Sequence, residues 1–151
     1  MSDSAVQIAN LLYRYAEHID AGRLAEAAAL FRHASILLQG RAEPLDANAL
    51  LALWQRLIVI HPDGTPRTQH VISNPLIEVD ETAGRATARS RYTVFQAVDG
   101  FALQPVVCGR YEDGFVREDG AWRFASRQYL LDLAGDTHAH MQAAALAALA
   151  T

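Results

Sequence analysis

The sequence predicts an α+β domain in which three N-terminal helices pack against a strongly curved antiparallel sheet around an internal pocket. Three observations carry this expectation. Apolar residues recur at three- and four-residue steps through the first third of the chain, the period of a helix with one buried face. From residue 67 onward, runs of strand length are separated by turn signals. The chain has 151 residues, 51% of them hydrophobic, which suits a single domain over 1–151 with a real core.

The elements follow in order. Ala5, Ile8, Ala9, Leu12, Ala16 and Ile19 form one apolar stripe, with Asp3 or Ser4 as its N-cap and "DAG" at 20–22 as its end. Leu24, Ala27, Ala28 and Phe31 mark a second, short helix, and "SILLQG" reads as a short strand. Asp46 is placed to cap a third helix carrying Leu50, Leu53, Trp54, Leu57 and Ile58, which "HPDGTP" terminates. Strands are expected near 68–80, 85–98, 103–118 and 121–133. They are joined by "DETAG", by "DG" at 99–100 and by "EDG" at 118–120, where glycine supplies positive φ. The Ala-rich tail, 134–151, is expected to be helical.

Charge and composition exclude several classes. The formal net charge is -4, without the clustered Lys and Arg of a nucleic-acid binder. One cysteine, Cys108, allows neither an internal disulfide nor a multi-cysteine zinc site, and its apolar run "VVCGRY" suits a small hydrophobe. The N-terminus lacks the pattern of a signal peptide, and no apolar stretch reaches the roughly 20 residues that span a bilayer. A cytoplasmic location is therefore expected, with no membrane partner. Nucleotide-loop, nucleophile-elbow and HExxH motifs are absent, so no cofactor or metal is expected. "DTHAH" groups Asp136, His138 and His140, but in a terminal segment it is a weak metal candidate.

Two residues stand out as candidate acid–base groups. His70, central in "PRTQHVISNP", shares a strand face with Thr68 and Ile72. Asp20 shares a helix side with Leu12 and Ala16, at the edge of the buried stripe. Each has a purely structural reading: a satisfied histidine, and a helix-end aspartate bonded to nearby backbone. Together they fit a base, because a carboxylate on one imidazole nitrogen fixes the tautomer and leaves the other as a proton acceptor. Fifty positions separate them, so sequence does not show that they meet.

Three segments resemble the SnoaL-like branch of the nuclear-transport-factor-2-like superfamily: "LLYRYAEHIDAGRLAEAAALF", "RTQHVISNPLIEVD" and "GRYEDGFVREDGAWRFASRQYLLD". The resemblance implies a cone-shaped α+β fold. It also implies an Asp–His base like that of scytalone dehydratase and hexachlorocyclohexane dehydrochlorinase, falling on Asp20 and His70. The dehydrochlorinase's pocket arginine falls on Arg127 and its pocket lysine near Tyr15. The dehydratase's second histidine falls on Gln96, and its two tyrosines on Leu38 and Ile19, so this chain copies neither enzyme. Tyr15, Gln96 and Tyr111 stay as candidate pocket residues, with core packing the equal alternative for each. Dioxygenase β subunits share the fold and a similar "H.I.N" strand without an active site of their own, so fold alone does not give catalysis.

The expected function is a cofactor-independent lyase or isomerase acting on a small, hydrophobic, cyclic molecule. Asp20 and His70 would abstract a carbon-bound proton, and Arg127 or a tyrosine would stabilise the developing charge. The alternative is a non-catalytic ligand-binding or scaffold module of the dioxygenase β-subunit type. A homo-oligomer, dimer or trimer, is expected because a curved sheet leaves one face to cover.

Overall fold

The computed structural model describes residues 3–143. Helix α1 (Asp3–Asp20) buries Ile8, Leu12, Tyr15, Ala16 and Ile19, the 3.6-residue stripe that the sequence announced. It ends in a left-handed Gly22 (φ 76°), whose N–H bonds the Ile19 carbonyl at 2.9 Å while Arg23 N–H bonds that of His18. Helix α2 (Leu24–Ala29) and the short strand β1 (Ser35–Leu38) follow. Helix α3 (Ala47–Leu57) starts at Asp46, whose carboxylate accepts from Ala49 N–H at 2.8 Å, and it buries Leu50, Leu53, Trp54 and Leu57.

Four long strands complete the chain: β2 (Thr68–Asp80), β3 (Arg85–Val98), β4 (Phe101–Glu118) and β5 (Ala121–Ala134). They pair antiparallel in sequence order, as turn-linked hairpins must. Asp119 and Gly120, both at positive φ, close the β4–β5 hairpin. The sheet order is β1-β5-β4-β3-β2, with β1 parallel to β5. This edge departs from the expected all-antiparallel sheet, because β1 leaves the helical layer and its direction is set by the helices around it rather than by a hairpin.

Alternation along β3 assigns the inner face: Ala86, Ala88, Ser90, Tyr92, Val94 and Gln96 are buried, and the residues between them face outward. Bulges bend the strands, one in β2 at Asn74 (φ 53°) and one in β5 at Ala125, opposite the Gly114–Phe115 step of β4. The sheet curves and stays open, and the helices lie across its concave side. After β5, residues 135–142 run as turns and a single bridge, Ile58 to Met141, rather than as the expected helix. Ala143 is helical, and residues 144–151 lie outside the described residues. Among the described residues no helix is long and apolar enough to cross a membrane.

Candidate active site

Asp20 is the last residue of α1, and the turn behind it is pressed against the loop leading into β2. A side chain on Gly22 would overlap the Gly64 carbonyl oxygen, so only glycine permits that approach. The contact brings Asp20 to the first residues of the edge strand β2. Its Oδ1 accepts from Thr68 Oγ1 at 2.8 Å and from His70 Nδ1 at 2.6 Å. Its Oδ2 accepts the His70 backbone N–H at 2.6 Å, satisfying a group on the open side of an edge strand. A carboxylate only accepts, so Nδ1 carries the proton and the lone pair is on Nε2. Nε2 has no protein partner among the described residues. Gly22→Ala is expected to cost about 1–3 kcal/mol from backbone strain alone, read as a lowered Tm.

His70 lines a cavity of about 630 Å³, within the usual size range for small-molecule sites. Ile19, Leu50, Trp54 and Ile58 from the helices and Val94 and Val107 from the sheet make it mostly apolar. Tyr15, Tyr92, Tyr111 and Tyr129 supply phenols along its wall. The Tyr15 ring meets the His70 imidazole edge-on, and Tyr129 OH donates to Tyr15 OH at 3.2 Å. Burial raises the pKa of Tyr15, Tyr111 and Tyr129, and pushes Tyr92 up to about 12. All four remain O–H donors at neutral pH.

The structure places His70, Tyr15 and Tyr111 on the cavity wall, with Asp20 behind His70 and bonded to it. It takes the other two sequence candidates elsewhere. Arg127 lies below the cavity rather than in it, with its guanidinium carbon 3.9 Å from the Tyr111 ring centre and 4.5 Å from that of Tyr15. Its fork closes on Asp113, Nε to Oδ1 at 2.7 Å and Nη2 to Oδ2 at 2.9 Å, with both side chains fully buried. Burial opposes its charge, but the Asp113 carboxylate and the phenols of Tyr129 and Tyr111 together hold the Arg127 pKa above its ordinary range. Gln96 is likewise buried behind the wall. Its Nε2 donates to the carbonyls of Pro66 at 3.0 Å and Ala139 at 2.9 Å, tying the entry to β2 to the segment after β5.

Sequence reasoning passed over Tyr92 and Tyr129 and named His140 only as part of a weak metal candidate. All three line the cavity, and among the described residues no cluster that could hold a metal forms. Tyr92 and Tyr129 were legible in principle from the inward alternation of their strands. His140 had no periodic signal. It is 3% exposed, and its pKa is lowered to about 4, by burial first and then by His70 and His61, with Asp20 opposing. Between about 4 and the ordinary 6.5 the unfolded chain therefore binds more protons than the folded one. Its contribution to stability is fully present above pH 6.5 and is lost as pH falls through about 4, on the order of 3 kcal/mol. Urea titrations at pH 7 and pH 4.5 are expected to show this loss in wild type and a smaller one in His140→Asn.

A cone of three helices on a curved open sheet, enclosing an apolar cavity, is a nuclear-transport-factor-2-like fold. The family model described as the SnoaL-like domain matches residues 2–128, and the chain belongs to that family. No curated protein sequence matches it. Among solved structures, a protein of unknown function from Mycobacterium tuberculosis is similar at 24% identity and TM-score 0.73, over 97% of this chain and 86% of that one. A candidate scytalone dehydratase from Novosphingobium aromaticivorans aligns at 22% identity and TM-score 0.69, over 88% and 87%. The β subunit of a candidate aromatic-ring-hydroxylating dioxygenase from the same organism aligns at 19% and 0.66, over 89% and 94%. At these identities the likenesses establish the fold.

Proposed function

We propose that the protein is a cofactor-independent lyase or isomerase that abstracts a carbon-bound proton from a small, hydrophobic, cyclic substrate. One observation carries the reading: Asp20 holds His70 by Nδ1 and leaves Nε2 unpartnered at the wall of an apolar, aromatic cavity. Nε2 takes the proton. Asp20 stabilises the imidazolium that forms, an effect strengthened where water is excluded. The phenols of Tyr15 and Tyr111 support the tyrosine alternative for stabilising the developing anion, since the charge of Arg127 is committed to Asp113. Elimination and double-bond migration both begin with this step.

The test needs no knowledge of the natural product. Cyclic ketones incubated with the protein in D2O are expected to gain deuterium at the carbon next to the carbonyl, followed by mass spectrometry. An exchange rate no greater than that of buffer across such ketones would sink the proposal. The non-catalytic reading is supported by the likeness to a dioxygenase β subunit. It predicts ligand retention without exchange and assembly with a larger oxygenase subunit. The same proposal takes the chain as one cytoplasmic SnoaL-like domain acting as a homodimer or trimer. Exposed Leu76, Leu103 and Leu133 support a self-association surface, which sedimentation would detect.

A further inference from the structure

The segment after β5 crosses back over the cavity and is fixed there at many points. Gly135 N–H bonds the Val106 carbonyl at 2.8 Å, Val59 N–H bonds that of His140 at 2.9 Å, and Gln142 N–H bonds that of Leu57 at 2.7 Å. The carbonyl of Ala139 lies 2.9 Å from Gln96 Nε2 and 2.9 Å from His61 Nε2. Two side chains from different elements thus anchor the residue next to His140. This strap turns the His140 ring into the cavity lining while leaving the residue 3% exposed.

The two ring nitrogens of His140 differ. Nδ1 is sealed from solvent and has no hydrogen-bond partner. Nε2 also lacks a protein partner among the described residues, yet it is not sealed, so the cavity is where it can find one. An unpaired buried acceptor is less costly than an unpaired buried donor, which puts the lone pair on Nδ1 and the proton on Nε2. The cavity then presents two imidazoles of opposite polarity. His70 Nε2 accepts, and His140 Nε2–H donates.

We propose that His140 donates a hydrogen bond from Nε2 to an oxygen atom of the bound substrate, which is therefore a carbon acid activated by a carbonyl group. The reacting proton rests on the Asp20–His70 reading; the hydrogen bond does not. The C–H proton passes to His70 Nε2, the electron pair of the broken C–H bond becomes the new C=C bond, and the π pair of the carbonyl moves onto its oxygen. That oxygen, now an enolate, is held by His140 until His70 returns the proton to the same or another carbon. In an elimination the C=O bond instead re-forms, the C=C pair shifts toward the β-carbon, and a leaving group departs with its bonding pair, taking the proton from His70. A neutral imidazole suits this work, because it polarises a carbonyl without adding a full charge to an apolar site. The groups that keep it neutral are its burial and the facing His70 of β2 and His61, against Asp20 of α1.

The test uses 1-indanone and indane, which share a shape and differ in one oxygen. Addition of 1-indanone to ¹⁵N-labelled wild type at pH 7 is expected to shift the His140 Nε2–H resonance, and indane is not. The ratio of the indane Kd to the 1-indanone Kd is expected to fall about five- to tenfold in His140→Leu, as loss of one hydrogen bond implies. His140→Asn, which keeps an amide donor, is expected to restore most of it. An unchanged ratio in His140→Leu, an unmoved resonance in wild type, or no binding of 1-indanone at millimolar concentration overturns the proposal. His70→Ala separates the two readings. Loss of deuterium exchange there with the ratio preserved supports both. Exchange that persists there removes the base assignment and leaves the His140 contact standing.

Discussion

His70→Ala is expected to lower the rate of deuterium exchange into a ketone substrate by about 10²- to 10⁴-fold, the usual worth of a positioned general base. Asp20→Asn is expected to fall in the same range, by a different route. Asp20 presents only acceptors, to a ring N–H, a backbone N–H and the Thr68 hydroxyl. An asparagine replaces one acceptor by a donor. It must then face one of those donors with its own N–H, or force the imidazole into the other tautomer and remove the lone pair from Nε2. Thr68→Val deletes one of the three bonds and leaves the imidazole contact, so its effect is expected to be a few-fold. Far-UV circular dichroism and melting curves distinguish loss of chemistry from loss of fold. Wild-type exchange by either His70→Ala or Asp20→Asn would refute the dyad.

Arg127→Ala is expected to destabilise the protein by about 3–5 kcal/mol, because it leaves the Asp113 carboxyl buried in the core without the partner that offsets its desolvation. That is a large part of the 5–15 kcal/mol that holds a typical domain together. Asp113→Ala is expected to cost as much, for the reciprocal reason. The paired replacement Asp113→Leu with Arg127→Met removes both charges and keeps volume, and is expected to cost much less than either single change. Urea midpoints at constant m-value measure all three. An additive double variant would mean that the two groups do not act as a pair.

The sequence carried the helices and the four long strands because their apolar residues keep a period, 3.6 or 2, over many positions. The Asp20–His70 contact was not visible in it, since it depends on two glycine-containing turns that meet, at Gly22 and Gly64. Arg127 shows how one residue of register changes a role. Counting back from the hairpin turn would set Arg127 opposite Glu112, on the outer face. The extra residue Ala125 in β5 moves the pairing by one, to Asp113, and carries Arg127 from the outer face into a core ion pair. His140 was hidden for another reason: its position comes from hydrogen bonds to Leu57, Val59, His61 and Gln96, none of them near it in sequence.

Gly109 faces the cavity side of β4, and the Tyr92 ring lies directly over it, stacked on Tyr111 at 4.4 Å between ring centres. A β-carbon at Gly109 would occupy the space of the Tyr92 phenol and of the Leu130 carbonyl. The ring would have to swing away from the strand, and the space on that side is the cavity. The capacity of the chamber is thus governed by a hydrogen atom on a backbone carbon, a dial for ligand size that acts one layer beneath the wall the ligand meets.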